Sequence, residues 1–394
     1  MIRQLMGNTM NFEFATANQI LFGNGVMKQV PGLAAQYGRK VFLLTGSSPE
    51  RCAGLIDALQ DKSLELTIHG IGKGEPTVRM AEQAVEQARL AEADVVIGYG
   101  GGSVLDLGKV VAAMLTNDGE LMDYLEVIGR AQPLANHSAP YIAITTTAGT
   151  GSEVTRNAVL DSPDHKVKVS MRSPYMLPAV AVVDPELTWS MPAQLTACTG
   201  LDALTQVIEP LLSNKSNPLT DSLCREGIRR AGQSLRLVYD EPGNSQARED
   251  MSLVNLFGGL ALANAKLGAV HGFAGPLGGM FHAPHGALCA RLLPLVMECN
   301  LRALQERTPD SPYIERFDEV ARLLTGNPSA TAEDGNTWIR EICEHMQIPP
   351  LSCYGMSAEH VDEAIAKSKN SSSMKGNPIE LTEAEMKDIL NRAL

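Results

Sequence analysis

Short, almost wholly apolar runs alternate in the first half of the chain with segments in which apolar residues recur every three or four positions. The apolar runs are rich in β-branched residues and predict buried strands, whereas the periodic segments predict helices. The predicted strands are residues 40–46, 93–102, 139–153 and 179–186, and the predicted helices between them include 77–92 and 104–116. Strands that are apolar on both faces and alternate with helices indicate a parallel sheet covered on both sides.

From about Pro192 onward the strand pattern ends and only helical patterns remain. A chain of 394 residues is long enough for two domains. We therefore predict an α/β domain with a mainly parallel nucleotide-binding sheet over residues 1–190, followed by an all-α domain over residues 191–394.

Composition narrows the class of ligand. The formal net charge of −12 argues against a nucleic-acid partner, because phosphate binding needs a basic surface. No apolar run reaches the roughly twenty residues of a membrane span, and the opening MIRQLMGNTM lacks the apolar segment of a signal peptide. Seven scattered cysteines without CxxC pairs are typical of reduced thiols. We therefore expect a cytoplasmic protein that acts on a small molecule, without a nucleic-acid or membrane partner.

Two predicted strands end in segments suited to a phosphate. IGYGGGSVLDLGK (97–109) follows a strand and begins a helix, so its glycines and first helical N–H groups could approach an anion closely. TTTAGTGSEVT (145–155) follows another strand and adds hydroxyl groups. Ligands of open parallel sheets bind at this edge, so a nucleotide is favoured. A tight turn without a ligand remains the alternative.

A second pattern suggests a metal or catalytic site. Three of the eight histidines, His271, His282 and His285, fall within one short stretch. Residues 201–209 predict the start of an amphipathic helix, on which Asp202 and a glutamine four residues later share one face. Imidazole and carboxylate together suit Zn²⁺ or Fe²⁺. An ordinary helix start remains the alternative for the second stretch.

Together these motifs resemble the iron-containing (group III) alcohol dehydrogenases, which share the dehydroquinate-synthase-like fold. The resemblance extends from about Phe12 to the C-terminus. It rests on ILFGNG, GGGSVLDLGK, TTTAGTGSEVT, DPEL, TGLDALTQVIE and ALANAKLGAVHGFAGPLGGMFHAPHG. It implies an NAD(P)-dependent alcohol dehydrogenase or aldehyde reductase, with a cleft between two domains in which a bound metal polarises the carbonyl group. We also expect a homo-oligomer.

The resemblance also implies roles for individual residues. The metal ligands would be Asp202, Gln206, His271 and His285, with Asn157 near the substrate and His282 outside the ligand pattern as one candidate proton donor. The implied cofactor contacts are Gly100, Gly101, Gly102, Ser103, Asp106, Thr146, Thr147, Thr150, Ser152 and Lys168.

Three positions depart from the family pattern. Gln206 and Gly275 stand where the family has histidines, and Glu75 replaces a usual asparagine. A neutral amide is a poorer ligand than imidazole, so Fe²⁺ or Zn²⁺ is expected to bind weakly or not at all. Three alternatives therefore stay open: a metal-independent reductase of the maleylacetate-reductase type, a dehydroquinate-synthase-like lyase, and a non-catalytic nucleotide-binding protein.

The residues after the first long strand bear on the choice between NAD and NADP. In dinucleotide folds an acidic residue after the second strand binds the ribose 2′-hydroxyl and repels a 2′-phosphate. Here Gly46 and Ser47 follow the strand, and no acid occurs before Glu50. The sequence therefore predicts that NADP is accepted.

Overall fold

A computed structural model describes residues 11–72, 74–165 and 167–394. The first ten residues, in which no signal peptide is expected, lie outside this range. The strands are β1 Gln19–Phe22, β2 Lys40–Thr45, β3 Glu65–Gly70, β4 Val95–Gly100, β5 Tyr141–Thr145, β6 Asn157–Ser162, β7 Val167–Arg172 and β8 Val180–Val183. The helices are α1 Val30–Tyr37, α2 Ala53–Gln60, α3 Val78–Leu90, α4 Gly102–Thr116, α5 Leu121–Tyr124, α6 Ala193–Leu212, α7 Pro218–Asp240, α8 Ser245–Asn264, α9 Ala269–Phe281, α10 His285–Arg307, α11 Tyr313–Thr325, α12 Ala332–His345, α13 Val361–Ser368 and α14 Glu383–Ala393.

Six strands form a parallel sheet in the order β1-β8-β5-β4-β2-β3, which confirms the predicted fold class. Side chains of β2 alternate between two apolar layers: Phe42 and Leu44 pack with α3 and α4, whereas Val41 and Leu43 pack with α1 and α2. Helices therefore cover both faces of the sheet, as the apolar strands predict. The chain runs outward from β2 to β3 and then returns to β4 on the other side, so a topological switch point lies between β2 and β4.

All four predicted strands are shorter than expected, and two of them end well before their predicted last residue. The run over 139–153 is a strand only as far as Thr145, because the following Thr- and Gly-rich residues turn away from the sheet into a short 3₁₀ helix at Ser152–Val154. The run over 179–186 ends at Val183, where Asp184 accepts a hydrogen bond from the backbone N–H of Glu186 and begins another 3₁₀ turn. The segments beyond these strands are loops at the ligand-binding edge of the sheet.

A separate antiparallel pair, β6 and β7, lies between the sheet region and the helical region. Strand β6 contacts α4, and strand β7 contacts α9. Backbone atoms of Val167 and Lys168 lie close to Gly279 of α9, where an added Cβ would come 3.1 Å from the nitrogen of Lys168. The pair therefore brings Lys168 to the side of the helical region, while the carbonyl oxygen of Asn157 accepts a hydrogen bond from Lys109 of α4.

After β8 the chain is helical, as predicted. Helix α6 lies inside the largest apolar core, and nearly all of its residues from Thr196 onward are buried. Among the described residues no single helix has the length and hydropathy to cross a membrane; α8 and α9 meet that test only as a pair bent by 94°. Apolar side chains of both helices belong to the protein core.

Candidate metal and nucleotide site

Helix α6 carries Asp202 and Gln206 one turn apart, with only 2% and 3% of their surfaces exposed. The helix begins at Ala193, so the prediction that residues 201–209 start an amphipathic helix is wrong in both respects. The segment lies in the interior of a buried helix. Burying a carboxylate and an amide side by side is costly unless a partner compensates, so the neighbours of the pair decide its role.

Four potential donor atoms converge beside α6, from Asp202, His271 on α9, and His285 and Cys289 on α10. All four atoms lie within 4.8 Å of one another. Asp202 Oδ1 is 3.3 Å from His271 Nε2 and 3.9 Å from His285 Nε2. Cys289 Sγ is 3.8 Å from His271 Nε2 and 3.6 Å from His285 Nε2. These distances match those between ligands of one ion.

Glu209, one turn after Gln206 on α6, orients the first histidine. Its Oε2 lies 2.7 Å from His271 Nδ1, and its Oε1 accepts a hydrogen bond of 2.7 Å from the backbone N–H of Val270. Glu209 therefore holds a proton on Nδ1 of His271, and Nε2 is the nitrogen that faces the four-donor cluster. Histidines that bind metals commonly hold a carboxylate in this way.

Burial and the neighbouring charges act in opposite directions on the pKa values of the cluster. Burial opposes ionisation of Asp202, but His285 and His271 outweigh it and lower the pKa of the carboxyl group. Burial likewise opposes protonation of His271, but Cys289 and the two neighbouring carboxylates raise its pKa well above the usual value. Burial lowers the pKa of His285 and raises that of Cys289 to about 12.

A buried oxygen atom without a hydrogen bond tests whether a metal ion fits this site. Asp202 Oδ1 is buried without a hydrogen-bond partner, although it faces both imidazoles. Buried carboxylate oxygens are normally hydrogen-bonded, so one that is not calls for an explanation such as an ion. Gln206 Oε1 is unpaired as well, but it lies against α8, 3.3 Å from the place where a Cβ on Gly258 would be. The residues present therefore fit a divalent cation held by Asp202, His271 and His285.

The two predicted phosphate-binding segments lie against each other. A Cβ on Gly101 would come 3.1 Å from Thr147, and one on Gly102 would come 2.7 Å from Thr150. Thr146 donates its backbone N–H to the carbonyl oxygen of Gly100 at 3.0 Å. Only glycine leaves room for these contacts and for a ligand at the N-terminus of α4.

Gly46 and Ser47 follow β2, the strand beside β4, so they lie at the same edge as the glycine turn. A Cβ on Gly46 would meet no described heavy atom within 4 Å. Ser103 occupies the first turn of α4. The structure thus brings these predicted cofactor contacts together at the switch point between β2 and β4.

Asp106 and Ser152, also predicted as cofactor contacts, bond to each other within the protein. Ser152 Oγ lies 2.5 Å from Asp106 Oδ1, which also pairs with Lys109 Nζ at 3.0 Å, and Asp106 Oδ2 accepts from Val159 N–H. Lys109 donates in turn to the carbonyl oxygen of Asn157 at 2.6 Å. These bonds tie α4 to β6 and so position the glycine turn and Asn157.

Lys168 lies beside the cluster and not among its donors. Its Nζ is 3.0 Å from Glu75 Oε1, and both charges affect the pKa of His285.

His282 ends α9 in the left-handed conformation, with Nδ1 3.4 Å from Asp161 Oδ2 and more than half of its side chain exposed. It is therefore outside the four-donor cluster. Gly275 faces open space among the described atoms.

Sequence reasoning missed Cys289 and Glu209. The available signals were spacings: Cys289 follows His285 by four residues, and Glu209 follows Asp202 by seven, which places each on the same helix face. A cysteine without a nearby CxxC partner and a glutamate in a helix carry no metal signal of their own.

Residues 17–185 match the family described as iron-containing alcohol dehydrogenase, and residues 196–394 match the C-terminal part described as Fe-containing alcohol dehydrogenase family. The chain is 31% identical over 377 residues to alcohol dehydrogenase 4 of Saccharomyces cerevisiae, a match that spans 94% of this chain and 96% of that protein.

Solved structures of similar proteins share the fold over nearly the whole chain. A crystal structure of 1,3-propanediol oxidoreductase matches with a TM-score of 0.89 and 31% identity over 98% of this chain and 100% of that one. Sulfoacetaldehyde reductase from Bifidobacterium kashiwanohense, solved with NAD⁺, matches with a TM-score of 0.84 and 26% identity over 97% and 98% of the two chains.

Proposed function

This chain belongs to the iron-containing alcohol dehydrogenase family and is an oxidoreductase acting on CH–OH groups, and we propose that it interconverts an alcohol and an aldehyde with NAD(P) and a divalent metal. One observation carries the metal-dependent form of the proposal. Asp202 presents a buried, unpaired oxygen to two imidazole nitrogens 3.3 and 3.9 Å away.

In the proposed site Asp202, His271 and His285 hold the ion. A divalent cation there would supply Lewis-acid polarisation of a substrate oxygen, and the nicotinamide would carry the hydride. Glu209 holds a proton on Nδ1 of His271 and so turns Nε2 towards the cluster. Gly101 and Gly102 let the pyrophosphate approach the start of α4, where the helix dipole favours an anion.

Gly275 stands where the family has a histidine, and glycine has no side chain that could transfer a proton. Proton transfer to the substrate oxygen therefore needs another group. His282, beside Asp161, is the exposed imidazole nearest in sequence to the histidines of the site. We propose that it, or solvent admitted by the space at Gly275, exchanges protons with the substrate oxygen. The Lys168–Glu75 ion pair borders the site and adds a charge of each sign to it.

The protein is further proposed to be a cytoplasmic homo-oligomer. All seven cysteines are free in the structure, as expected for a reducing compartment. The proposed substrate class, an alcohol or aldehyde, is taken from the names of the similar alcohol dehydrogenase and 1,3-propanediol oxidoreductase.

A direct assay tests the proposed function. Purified protein is mixed with NADPH or NADH and a panel of aldehydes, and loss of reduced nicotinamide is followed by its ultraviolet absorbance. Each reaction is run with the protein as purified, after chelation, and after addition of Zn²⁺ or Fe²⁺. We expect turnover that chelation abolishes and metal restores. Turnover that is insensitive to chelation would instead support the metal-independent reductase, and no turnover would contradict the proposal.

Gly46→Asp tests the cofactor choice. The new carboxylate would enter the open space beside β2, where it can accept a hydrogen bond from a ribose 2′-hydroxyl and repel a 2′-phosphate. We expect kcat/KM for NADPH to fall by about 100-fold relative to NADH, the size of two or three kcal/mol of lost binding. Gly46→Asn, of similar shape without the charge, is the control. Equal effects of the two variants on both cofactors would remove Gly46 from the cofactor site.

A further inference from the structure

We propose that Cys289, and not Gln206, is the fourth protein donor of the metal site, and that its sulfur gives the site a preference for Zn²⁺ over Fe²⁺. The inference rests on the proposed function in that it takes Asp202, His271 and His285 as the other three donors. It concerns a residue that no motif in the sequence assigns to metal binding.

The distances around the sulfur are those of a tetrahedral site. With bonds of about 2.3 Å to sulfur and about 2.0 Å to nitrogen or oxygen, tetrahedral angles place a sulfur and a nitrogen roughly 3.5 Å apart, and a nitrogen and an oxygen roughly 3.3 Å apart. Cys289 Sγ lies 3.6 and 3.8 Å from the Nε2 atoms of His285 and His271. Asp202 Oδ1 lies 3.3 Å from His271 Nε2. Asp202 Oδ1 and His285 Nε2 lie 3.9 Å apart, farther than the roughly 3.3 Å of a tetrahedral site, so one ion can contact all four atoms once these two side chains move closer.

The position of Cys289 on α10 explains why it points at the cluster. It follows His285 by one helical turn, so both side chains project from one face, towards α6 and α9. The residue is completely buried, and its sulfur makes polar contacts with the two imidazole nitrogens. Asp202 Oδ1, buried and without a hydrogen bond, is the second indication that an ion belongs at this point.

Gln206 is a weaker candidate for the fourth donor because of the charge of its side chain and the position of its amide oxygen. Its amide oxygen is neutral, whereas a thiolate carries the charge that divalent cations favour. Its Oε1 lies against α8, 3.3 Å from the place where a Cβ on Gly258 would be. In this proposal the glutamine takes the family's histidine position without being a donor.

Thiolate ligation also determines which metal is favoured. Soft sulfur ligands favour Zn²⁺ over harder ions, and sulfur, nitrogen and carboxylate oxygen are its usual donors. Zn²⁺ can expand to five-coordinate, so four protein donors would leave a position for the substrate oxygen. When the ion binds, a bond forms between it and the sulfur of Cys289, and the thiol proton passes to solvent. No change of oxidation state is involved.

Cobalt substitution tests the assignment independently of activity. The full-length protein is stripped of metal and titrated with Co²⁺ without oxygen, because a thiolate bound to Co²⁺ adds an intense near-ultraviolet charge-transfer absorption to the visible bands. We expect this absorption in the unaltered protein and its loss in Cys289→Ser, with the visible bands retained. Cys299→Ser, another buried cysteine on α10, is the matched control and should leave both features unchanged.

Zinc affinity, measured by competition with a chromogenic chelator, provides the second readout. Loss of an outer-sphere partner costs about 10–100-fold in metal affinity, so loss of a direct donor in Cys289→Ser should cost at least about 100-fold. Gln206→Ala should change it less than about threefold, well below that outer-sphere range. Circular dichroism of each variant confirms that it is folded.

Three outcomes would overturn the inference. If Co²⁺ binds without the charge-transfer absorption, the site contains a metal but Cys289 is not its ligand, and the proposed function stands. If Gln206→Ala loses zinc while Cys289→Ser keeps it, Gln206 is the fourth donor. If neither Co²⁺ nor Zn²⁺ binds, both this inference and the metal in the proposed function fail, and NADPH turnover alone decides whether a metal-independent reductase remains.

Discussion

Asp202→Asn is expected to lower kcat/KM with NADPH and aldehyde by on the order of 1,000-fold, because several kcal/mol of Lewis-acid stabilisation are lost with the metal. Asp202 is the carboxylate of the four-donor cluster, and its Oδ1 is unpaired. Asparagine keeps its shape but removes the charge that the cation needs. Because the neighbouring imidazoles favour the ionised carboxylate, the variant should also be less stable than the unaltered protein, and circular dichroism checks that it is folded.

Two measurements separate loss of metal from loss of fold. Metal content should fall to a small fraction of one ion per chain, while the dissociation constant of NADPH stays within about threefold, which is less than 1 kcal/mol. The glycine turn lies at the start of α4, against Thr147 and Thr150, whereas Asp202 is on α6, which explains this expectation. An Asp202→Asn variant that keeps its metal and its activity would show that the cluster is not the metal site.

The strongest sequence signals came from long elements buried on both sides. Strands β2, β4, β5 and β8 and helix α3 lie within the predicted ranges, and α4 begins at Gly102, two residues before its predicted range. Continuous apolar runs and a period of 3.6 residues are clearest where packing is extensive. The helical second half was predicted for the same reason. Strand ends were less accurate: Thr145 closes β5 although the following residues are still small and β-branched.

The missed strands are short or half-exposed. β1 has four residues, and β3, ELTIHG, is an edge strand with polar and exposed positions. The β6–β7 pair carries charged side chains such as Asp161 and Lys168 among its apolar ones, so neither segment forms an apolar run. Their pairing depends on tertiary contacts that a sequence pattern does not contain.

The residues of the candidate site were predictable from the sequence where they belong to a local motif. The histidine spacing and the glycine turn identified residues that the structure brings together in two groups, but the roles proposed for them remain predictions. Cys289 and Glu209 depend on the convergence of three helices, which no local pattern encodes. Asp106 and Ser152 belong to motifs that predicted cofactor contacts. In the structure their side chains form a hydrogen bond with each other.

Lys109→Met is expected to lower the free energy of unfolding by about 3–5 kcal/mol, the usual cost of breaking a buried ion pair from one side. The ammonium group is fully buried and pairs with Asp106 at 3.0 Å. It also donates to Thr155 Oγ1 at 2.8 Å and to the carbonyl oxygen of Asn157 at 2.6 Å. Methionine fills the space but leaves these acceptors without their donor.

Lys40→Met is the matched control, because Lys40 forms an ion pair with Glu92 on the surface and both side chains are exposed. Exposed pairs contribute little, so this variant should stay within about 0.5 kcal/mol of the unaltered protein. The two variants are compared by urea unfolding and by thermal midpoint in the same buffer. If Lys109→Met unfolds no earlier than Lys40→Met, the buried lysine contributes no more than a surface one. A lower midpoint for Lys109→Met together with weaker NADPH binding would show that the same bonds hold the glycine turn of α4 in place.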